Sequence, residues 1–240
     1  ISAWTLKKVS YRMLHLLPNN IEIQHLDGQL QYFSYSAKIE LFKKGLIPFS
    51  QIGFEKIKIE EVNQLSNQLE LDNLDFSYIK GSSKIEMSPK IIIALIKKLN
   101  PKGIINLSGV NLASLPKEDV EQLQDSLSII DLNLSDTNCS ASVLVALIKK
   151  LKPTGVVNLS QLYIEWAIKY FSLPKNISVS TLILTHTNIH TREALQWINW
   201  LKPVSLESDA PKISCLNDKN TKIVVQTGKA IIDTFLNYVS

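Results

Sequence analysis

Cysteine is almost absent from this sequence. Cys139 and Cys215 are the two cysteines among 240 residues, and neither lies in a CxxC spacing. A disulfide framework and a zinc site are therefore not indicated, and a reducing working compartment is the plain expectation. No apolar run approaches the roughly 18 residues that would span a bilayer, so the sequence predicts no transmembrane segment.

Glycine is scarce, and arginine is far rarer than lysine. The eight glycines are too dispersed to form a phosphate-binding loop, and the net charge of +4 is modest for nucleic-acid binding. No nucleophile with a neighbouring base, paired carboxylates or metal-ligand spacing is present. His186 and His190 lie four residues apart, but on a predicted turn. We therefore expect no enzymatic activity, no cofactor, no metal and no nucleic-acid partner.

The sequence begins with Ile1 rather than methionine. Residues 1–17 carry basic side chains at helical spacing instead of the pattern of a secretory signal. We expect the chain to be a processed product or a piece of a longer protein.

What the sequence does contain is an internal repeat. Residues 94–108 return as residues 146–160, identical at 11 of 15 positions and displaced by 52 residues (146 − 94). Self-similarity at a fixed period indicates units that bury their apolar faces against their neighbours, as in a solenoid. The sequence therefore predicts an array of stacked units.

Each predicted unit begins with a short strand in which apolar residues alternate. The segments are Leu74-Asp-Phe76, Ile105-Asn-Leu107, Leu132-Asn-Leu134, Val157-Asn-Leu159 and Leu182-Ile-Leu184, and they begin 31, 27, 25 and 25 residues apart. The pattern L-x-L-x-x-[apolar or Thr]-N-[apolar] that extends them resembles the leucine-rich repeat. An earlier segment, Ile57-Lys-Ile59, fits the same pattern with irregular spacing.

The resemblance implies an α/β leucine-rich repeat solenoid, with a curved parallel sheet on the concave side and helices on the convex side. Amphipathic segments follow the strands at residues 91–99, 117–127, 143–151, 166–171 and 192–201, and helices of this length are similar to those of the ribonuclease-inhibitor subclass. Residues 56–203 are assigned to the repeats and residues 1–55 to an N-terminal cap or degenerate repeats. Residues 204–240 are assigned to a C-terminal cap, with a loop over 204–222 and a helix over 229–239.

The same resemblance assigns roles to polar residues. The concave floor that would bind a partner comprises Asn106, Ser108, Asn133, Ser135, Asn158, Ser160 and Thr185, with Tyr78, Tyr163 and His186 as anchors at its rim. Asn111, Asn138 and Asn188 would bond the turn after each strand and stack into a structural ladder. The alternative interpretation of the floor is that short polar groups merely keep a strand soluble.

One tryptophan falls on an outward position. Aligning Leu201 with Leu151 places Trp197 inward and Trp200 outward. An exposed tryptophan often marks an interface, so Trp200 is a candidate partner-binding residue, unless the C-terminal segment covers it. The alignment of the units places Cys139 in the core.

The function that these features favour is protein–protein recognition without chemistry. The Lys-, Asn- and Ile-rich repeats resemble the leucine-rich-repeat effectors that intracellular bacterial pathogens secrete into host cells. This resemblance implies a host protein as partner, the host cytosol as the site of action and a role in virulence. The bacterial cytoplasm is the alternative location, and the oligomeric state stays open.

Two alternative functions belong to other classes. The chain could be the substrate-recognition part of a larger enzyme, such as a ubiquitin ligase. It could also bind anionic lipid or nucleic acid through a lysine ridge formed by Lys97, Lys98, Lys102, Lys149, Lys150, Lys152 and Lys202. Solvated helix ends explain these lysines equally well.

Overall fold

The computed structural model describes residues 14, 16–18, 27–66, 69–77, 87–162, 177–187, 191–208, 222–224 and 230–233. The chain divides into two compact units. The first comprises Ile1–Leu71 and Ser82–Asn100, and the second comprises Asp72–Gly81 and Pro101–Ser240. Within the described residues, helices build the first unit, and a sheet with helices builds the second.

The first unit contains a cluster of phenylalanine rings. Its helices are α1 (Tyr35–Lys43), α2 (Ile59–Gln64) and α3 (Pro89–Leu99), with short 3-10 helices at Asp27–Tyr32, Phe49–Ile52 and Phe54–Lys56. Helix α1 begins at Ser34, whose hydroxyl accepts a hydrogen bond from the Ala37 amide at 3.2 Å. The Phe49 ring packs edge to face at 5.5 Å from Phe42 and at 5.6 Å from Phe54, centroid to centroid. These ring contacts join α1 to the two 3-10 helices that follow it.

Helix α2 lies where the sequence predicts a strand, Ile57-Lys-Ile59. That prediction is wrong, because a helix begins at Ile59. The Lys58 amide donates to Glu61 Oε2 at 2.9 Å, and two glutamates occupy the first turn, where the helix dipole favours negative charge. The acidic residues that follow Ile57 and Ile59 therefore favour a helix over a strand.

The second unit is built around an eight-stranded sheet. Its strands are β1 (Leu74–Asp75), β2 (Ile104–Asn106), β3 (Asp131–Asn133), β4 (Val156–Asn158), β5 (Thr181–Ile183), β6 (Ser205–Glu207), β7 (Lys222–Val224) and β8 (Ala230–Asp233). Strands β1 to β6 are parallel and lie in sequence order, whereas β8 pairs antiparallel with β6 and β7 pairs antiparallel with β8. The predicted α/β class with a parallel sheet is confirmed, and the leucine-rich repeat assignment stays a prediction.

One face of the parallel strands is covered and the other is open. The central residues Ile105, Leu132, Val157, Leu182 and Leu206 are 0% exposed, and the residues on either side of them are more accessible. The helices of this unit are α4 (Lys117–Glu121), α5 (Ala141–Leu151) and α6 (Thr191–Leu201). The period of two in burial is what a strand produces when one face packs on a core.

Three predicted elements differ from the structure. Helix α4 ends at Glu121 instead of extending to residue 127, because the chain continues in turns in which Leu123 N donates to Val120 O and Leu127 N to Gln124 O. Residues 205–207 form β6 inside the predicted loop, and residues 230–233 form β8 inside the predicted helix. The predicted helix at residues 166–171 lies outside the described residues.

Candidate recognition surface

The open side of the parallel strands, here termed the outward sheet face, carries three columns of side chains. Strand pairing aligns Ile104, Asp131, Val156, Thr181 and Ser205 in the first column, and Asp75, Asn106, Asn133, Asn158, Ile183 and Glu207 in the second. The third column, two residues further along, comprises Ser77, Ser108, Ser135, Ser160 and Thr185. Because neighbouring strands lie ~4.8 Å apart, one ligand can reach several members of a column. The seven residues predicted as the floor all lie in the second and third columns.

The side-chain oxygens of Asp75 and of the three asparagines in the second column are bonded within the chain. Ser108 N donates to Asn106 Oδ1 at 3.1 Å, Ser135 N to Asn133 Oδ1 at 3.0 Å, Ser160 N to Asn158 Oδ1 at 3.0 Å, and Ser77 N to Asp75 Oδ1 at 2.9 Å. These bonds from residue i+2 to a side-chain oxygen are Asx turns, and they fix the path of the chain as each strand ends. Because the oxygens are used in this way, the Nδ2 donors are the groups that the three asparagines offer to a partner.

The third column combines structural and accessible hydroxyls. Ser135 Oγ donates to Ser108 Oγ at 3.0 Å, which links β2 to β3. Ser160 is only 8% exposed, and its hydroxyl donates to Asn158 Oδ1. Thr185 is half-buried. Ser160 is therefore mainly structural, whereas Ser108, Ser135 and Thr185 keep surface that a partner can contact.

The start of the strands depends on residues that the sequence analysis did not single out. Asn73 Oδ1 accepts a hydrogen bond from Ile104 N at 2.8 Å, and Asp131 Oδ1 accepts one from Val156 N at 2.7 Å. Each side chain crosses the glycine that precedes the recipient, Gly103 or Gly155, and a Cβ on either glycine would overlap the crossing oxygen. The signal in the sequence is the recurrence of these glycines 52 residues apart (155 − 103).

A left-handed residue follows four of the strands at the same place. Gly109, Asp136, Gln161 and His186 have φ of 71°, 55°, 59° and 55°. The three non-glycine residues are exposed. His186 therefore lies beyond the third column on an exposed turn, as its assignment to the rim requires.

The asparagines of the predicted ladder are described in two of three cases. Asn111 and Asn138 form a parallel bridge, and Leu112 N donates to Asn138 O at 2.7 Å. Asn111 Oδ1 accepts a hydrogen bond from Ala113 N at 3.1 Å, so its side chain bonds the turn that follows. Asn188 and the predicted rim anchors Tyr78 and Tyr163 lie outside the described residues.

Trp200 is less exposed than the repeat alignment suggests. Trp197 is fully buried, and Trp200 is half-buried with its ring edge to face against Trp197 at 5.5 Å between centroids. The indole Nε1 of Trp197 has no acceptor among the described residues. Trp200 keeps part of its surface accessible and packs the rest on its own helix.

Three lysines of the proposed ridge contact other parts of the chain. Lys150 Nζ lies 2.6 Å from Asp125 Oδ1, and the hydrogen bond from Lys150 lowers the pKa of that carboxyl. Lys152 Nζ donates to Asp125 O, and in the first unit Lys98 Nζ donates to Asn63 O at 3.4 Å. Lys97, Lys102, Lys149 and Lys202 are exposed. Lys98, Lys150 and Lys152 are therefore engaged with the chain itself.

The described residues bear on thiol reactivity and on metal binding. Cys139 is half-buried, and desolvation by burial raises the pKa of its thiol to about 12, which disfavours the nucleophilic thiolate. Within the described ranges, no three or more His, Cys, Asp and Glu side chains are grouped so that they could hold a metal ion. His190, the predicted neighbour of His186, lies outside those ranges.

The length and polarity of the helices show whether any of them could span a membrane. In the part of the chain that the structure describes, no helix is long and apolar enough to cross a bilayer. Among the described residues, the outward sheet face is an accessible surface on which side chains are arranged regularly. The chain matches no family model, no curated protein and no solved structure with which it was compared.

Proposed function

We propose that this chain is a non-catalytic leucine-rich-repeat module that recognises a protein partner through the outward sheet face. The observation that supports it best is the alignment of Asn106, Asn133 and Asn158 in one column, where each side-chain oxygen accepts a hydrogen bond from the backbone N–H two residues later. Side chains fixed before binding lose little conformational entropy when a partner arrives. A regular array of fixed donors is suited to recognition.

The resemblance of the repeats to secreted effectors of intracellular bacterial pathogens extends this proposal to the partner. We propose a protein of the host cell as the partner and the host cytosol as the place where the two meet. Recognition as part of a larger enzyme, such as a ubiquitin ligase, would use the same surface.

A bulky but uncharged substitution tests the surface directly. Ser108→Gln, Ser135→Gln and Thr185→Gln, combined in one variant, add volume to the third column and leave the backbone N–H donors of the Asx turns in place. The matched control places Gln at Ser114, Ser126 and Ser128, which are exposed and lie outside the strands. Both variants are compared with the unaltered chain for binding partners from a eukaryotic lysate, after circular dichroism has shown equal folding.

We expect a discrete partner to be retained by the unaltered chain and by the control, and to be lost from the strand variant. Retention by all three chains would move the binding site away from the outward sheet face. Failure of every chain to retain a host protein would contradict the host-directed part of the proposal.

A further inference from the structure

The charges of the outward sheet face differ in sign from the charge of the whole chain. The chain carries a net charge of +4. Of the residues in the three columns, none is Lys or Arg, whereas Asp75, Asp131 and Glu207 carry carboxylates. Asp136 adds a further exposed carboxylate on the turn after β3. The described residues of this face therefore carry negative formal charge, although the net charge of the chain is positive.

The carboxylates are spread over the full width of the parallel strands. Asp75 and Glu207 end the second column on β1 and β6, five strand intervals or ~24 Å apart. Asp131 lies in the first column on β3, near the middle. Charges spread in this way act on an extended partner rather than on a single small ion.

Aliphatic and amide groups occupy the space between the carboxylates. Ile104 is 42% exposed, and Val156 and Ile183 are half-buried on adjacent strands. Asn106 and Asn133 offer Nδ2 donors, which match the carbonyl oxygens of a peptide backbone. Aliphatic side chains and hydrogen-bonding groups therefore lie interspersed on the same face, and a protein interface uses both.

We propose that the partner of the outward sheet face is a basic, extended protein segment. Its Lys or Arg side chains pair with Asp75, Asp131 and Glu207, its carbonyl oxygens accept from the asparagine amides, and an aliphatic side chain contacts Val156 and Ile183. This inference rests on the proposed recognition by the same face and adds the chemistry of the partner.

Neutral amides remove the charge and keep the geometry. Asp75→Asn, Asp131→Asn and Glu207→Gln, combined in one variant, retain an oxygen that can accept from Ser77 N and from Val156 N. The matched control neutralises Glu118, Glu121 and Asp125, exposed carboxylates outside the sheet, by Gln, Gln and Asn. Both variants gain three units of net charge, so a difference between them comes from position.

The probes are two pools of synthetic 12-residue peptides with randomised apolar and polar positions, one pool rich in Lys and Arg and the other rich in Asp and Glu. At about 50 mM salt, where exposed charges are weakly screened, we expect the intact protein to bind the basic pool at least ~10-fold more tightly than the acidic pool. The strand-face variant should lose at least ~5-fold of that preference, and the control should keep it. Equal binding of the two pools, or an unchanged preference in the strand-face variant, would overturn the proposal.

The two proposals fail in different ways. The neutral Gln variant of the third column blocks the face by volume, whatever the charge of the partner. If that variant loses its partner and the amide variant binds as tightly as the unaltered chain, the face recognises a partner that is not basic. If neither variant changes binding, the recognition surface lies elsewhere, and both proposals are wrong.

Discussion

Gly155 lies directly before β4, where the side chain of Asp131 crosses it to reach the Val156 amide. A Cβ at Gly155 would overlap Asp131 Oδ1 and would lie 3.0 Å from Ile130 O, which is backbone and cannot move aside cheaply. We therefore expect Gly155→Ala to lower the free energy of unfolding by about 1–3 kcal/mol, as other overpacked positions do. Denaturant unfolding followed by circular dichroism measures this change.

A double-mutant cycle separates the crossing side chain from the backbone contact at Gly155. In an Asp131→Ala background the overlapping oxygen is absent, so Gly155→Ala should cost clearly less than in the unaltered chain. An equal cost in both backgrounds would show that the Asp131 contact does not set the requirement for glycine.

At the scale of residues, the sequence predicted the face of the sheet on which a side chain lies better than the hydrogen bonds that the side chain makes. The alternation of apolar residues placed Asn106 and Ser108 on the open side of a strand. Successive side chains of a strand point to opposite faces, so burial of Ile105 leaves only the other face for these two residues. It could not show that Asn106 Oδ1 accepts from Ser108 N, since that bond depends on the turn geometry. Asn73 and Asp131 were missed because the backbone N–H groups that donate to their side chains lie on the next strand, 31 and 25 residues away.

Helices α5 and α6 each end at a lysine in the left-handed conformation, Lys152 with φ 45° and Lys202 with φ 41°. Lysine adopts this conformation at a cost of about 1 kcal/mol, which glycine avoids. We expect Lys202→Gly to raise the midpoint of thermal unfolding. Lys149→Gly, the same substitution inside α5, should lower it, because glycine is unfavourable within a helix by about 1 kcal/mol.

The paired design holds the change in charge constant, so the two lysine substitutions should shift the midpoint of thermal unfolding in opposite directions. If Lys202→Gly also lowers the midpoint, the side chain of Lys202 stabilises the fold by more than its left-handed backbone conformation destabilises it.

At the scale of elements, the helices with long apolar stripes and the strands of the aligned units were predicted correctly, whereas the segments at residues 57–59, 205–207 and 230–233 were not. Residues 91–99 and 143–151 lie within α3 and α5 because their apolar stripes extend over several turns. The segment predicted as a strand at Ile57 leads into helix α2 instead, because glutamates in the first turn stabilise the start of that helix. Strands β6 and β8 lie in residues 204–240, which were assigned to a cap rather than to the repeats, so no aligned unit marked them as strands. Their pairing partners decide the structure.

At the scale of the whole molecule, the repeated block predicted the parallel order of the strands but not how the sheet ends. The similarity of residues 94–108 to residues 146–160 implies equivalent neighbours, and parallel pairing of β2 with β3 and β3 with β4 follows that expectation. The chain after β6 has no counterpart earlier in the sequence. Its antiparallel pair therefore could not be inferred from the repeat.

Strand β8 occupies the outer edge of β6 in antiparallel register, with Ser205 opposite Ile231 and Leu206 opposite Ala230. Deleting residues 209–240 removes β7 and β8 and leaves β6 as an unpaired edge, which promotes pairing with another chain. We expect the shortened protein to unfold at a lower temperature and to associate as its concentration rises, measured by light scattering after size-exclusion chromatography. Deleting residues 234–240 keeps β8, so the unfolding temperature and the association state should both stay as in the unaltered chain. A monomeric 209–240 deletion with an unchanged midpoint of unfolding would show that the antiparallel pair does not protect the parallel sheet.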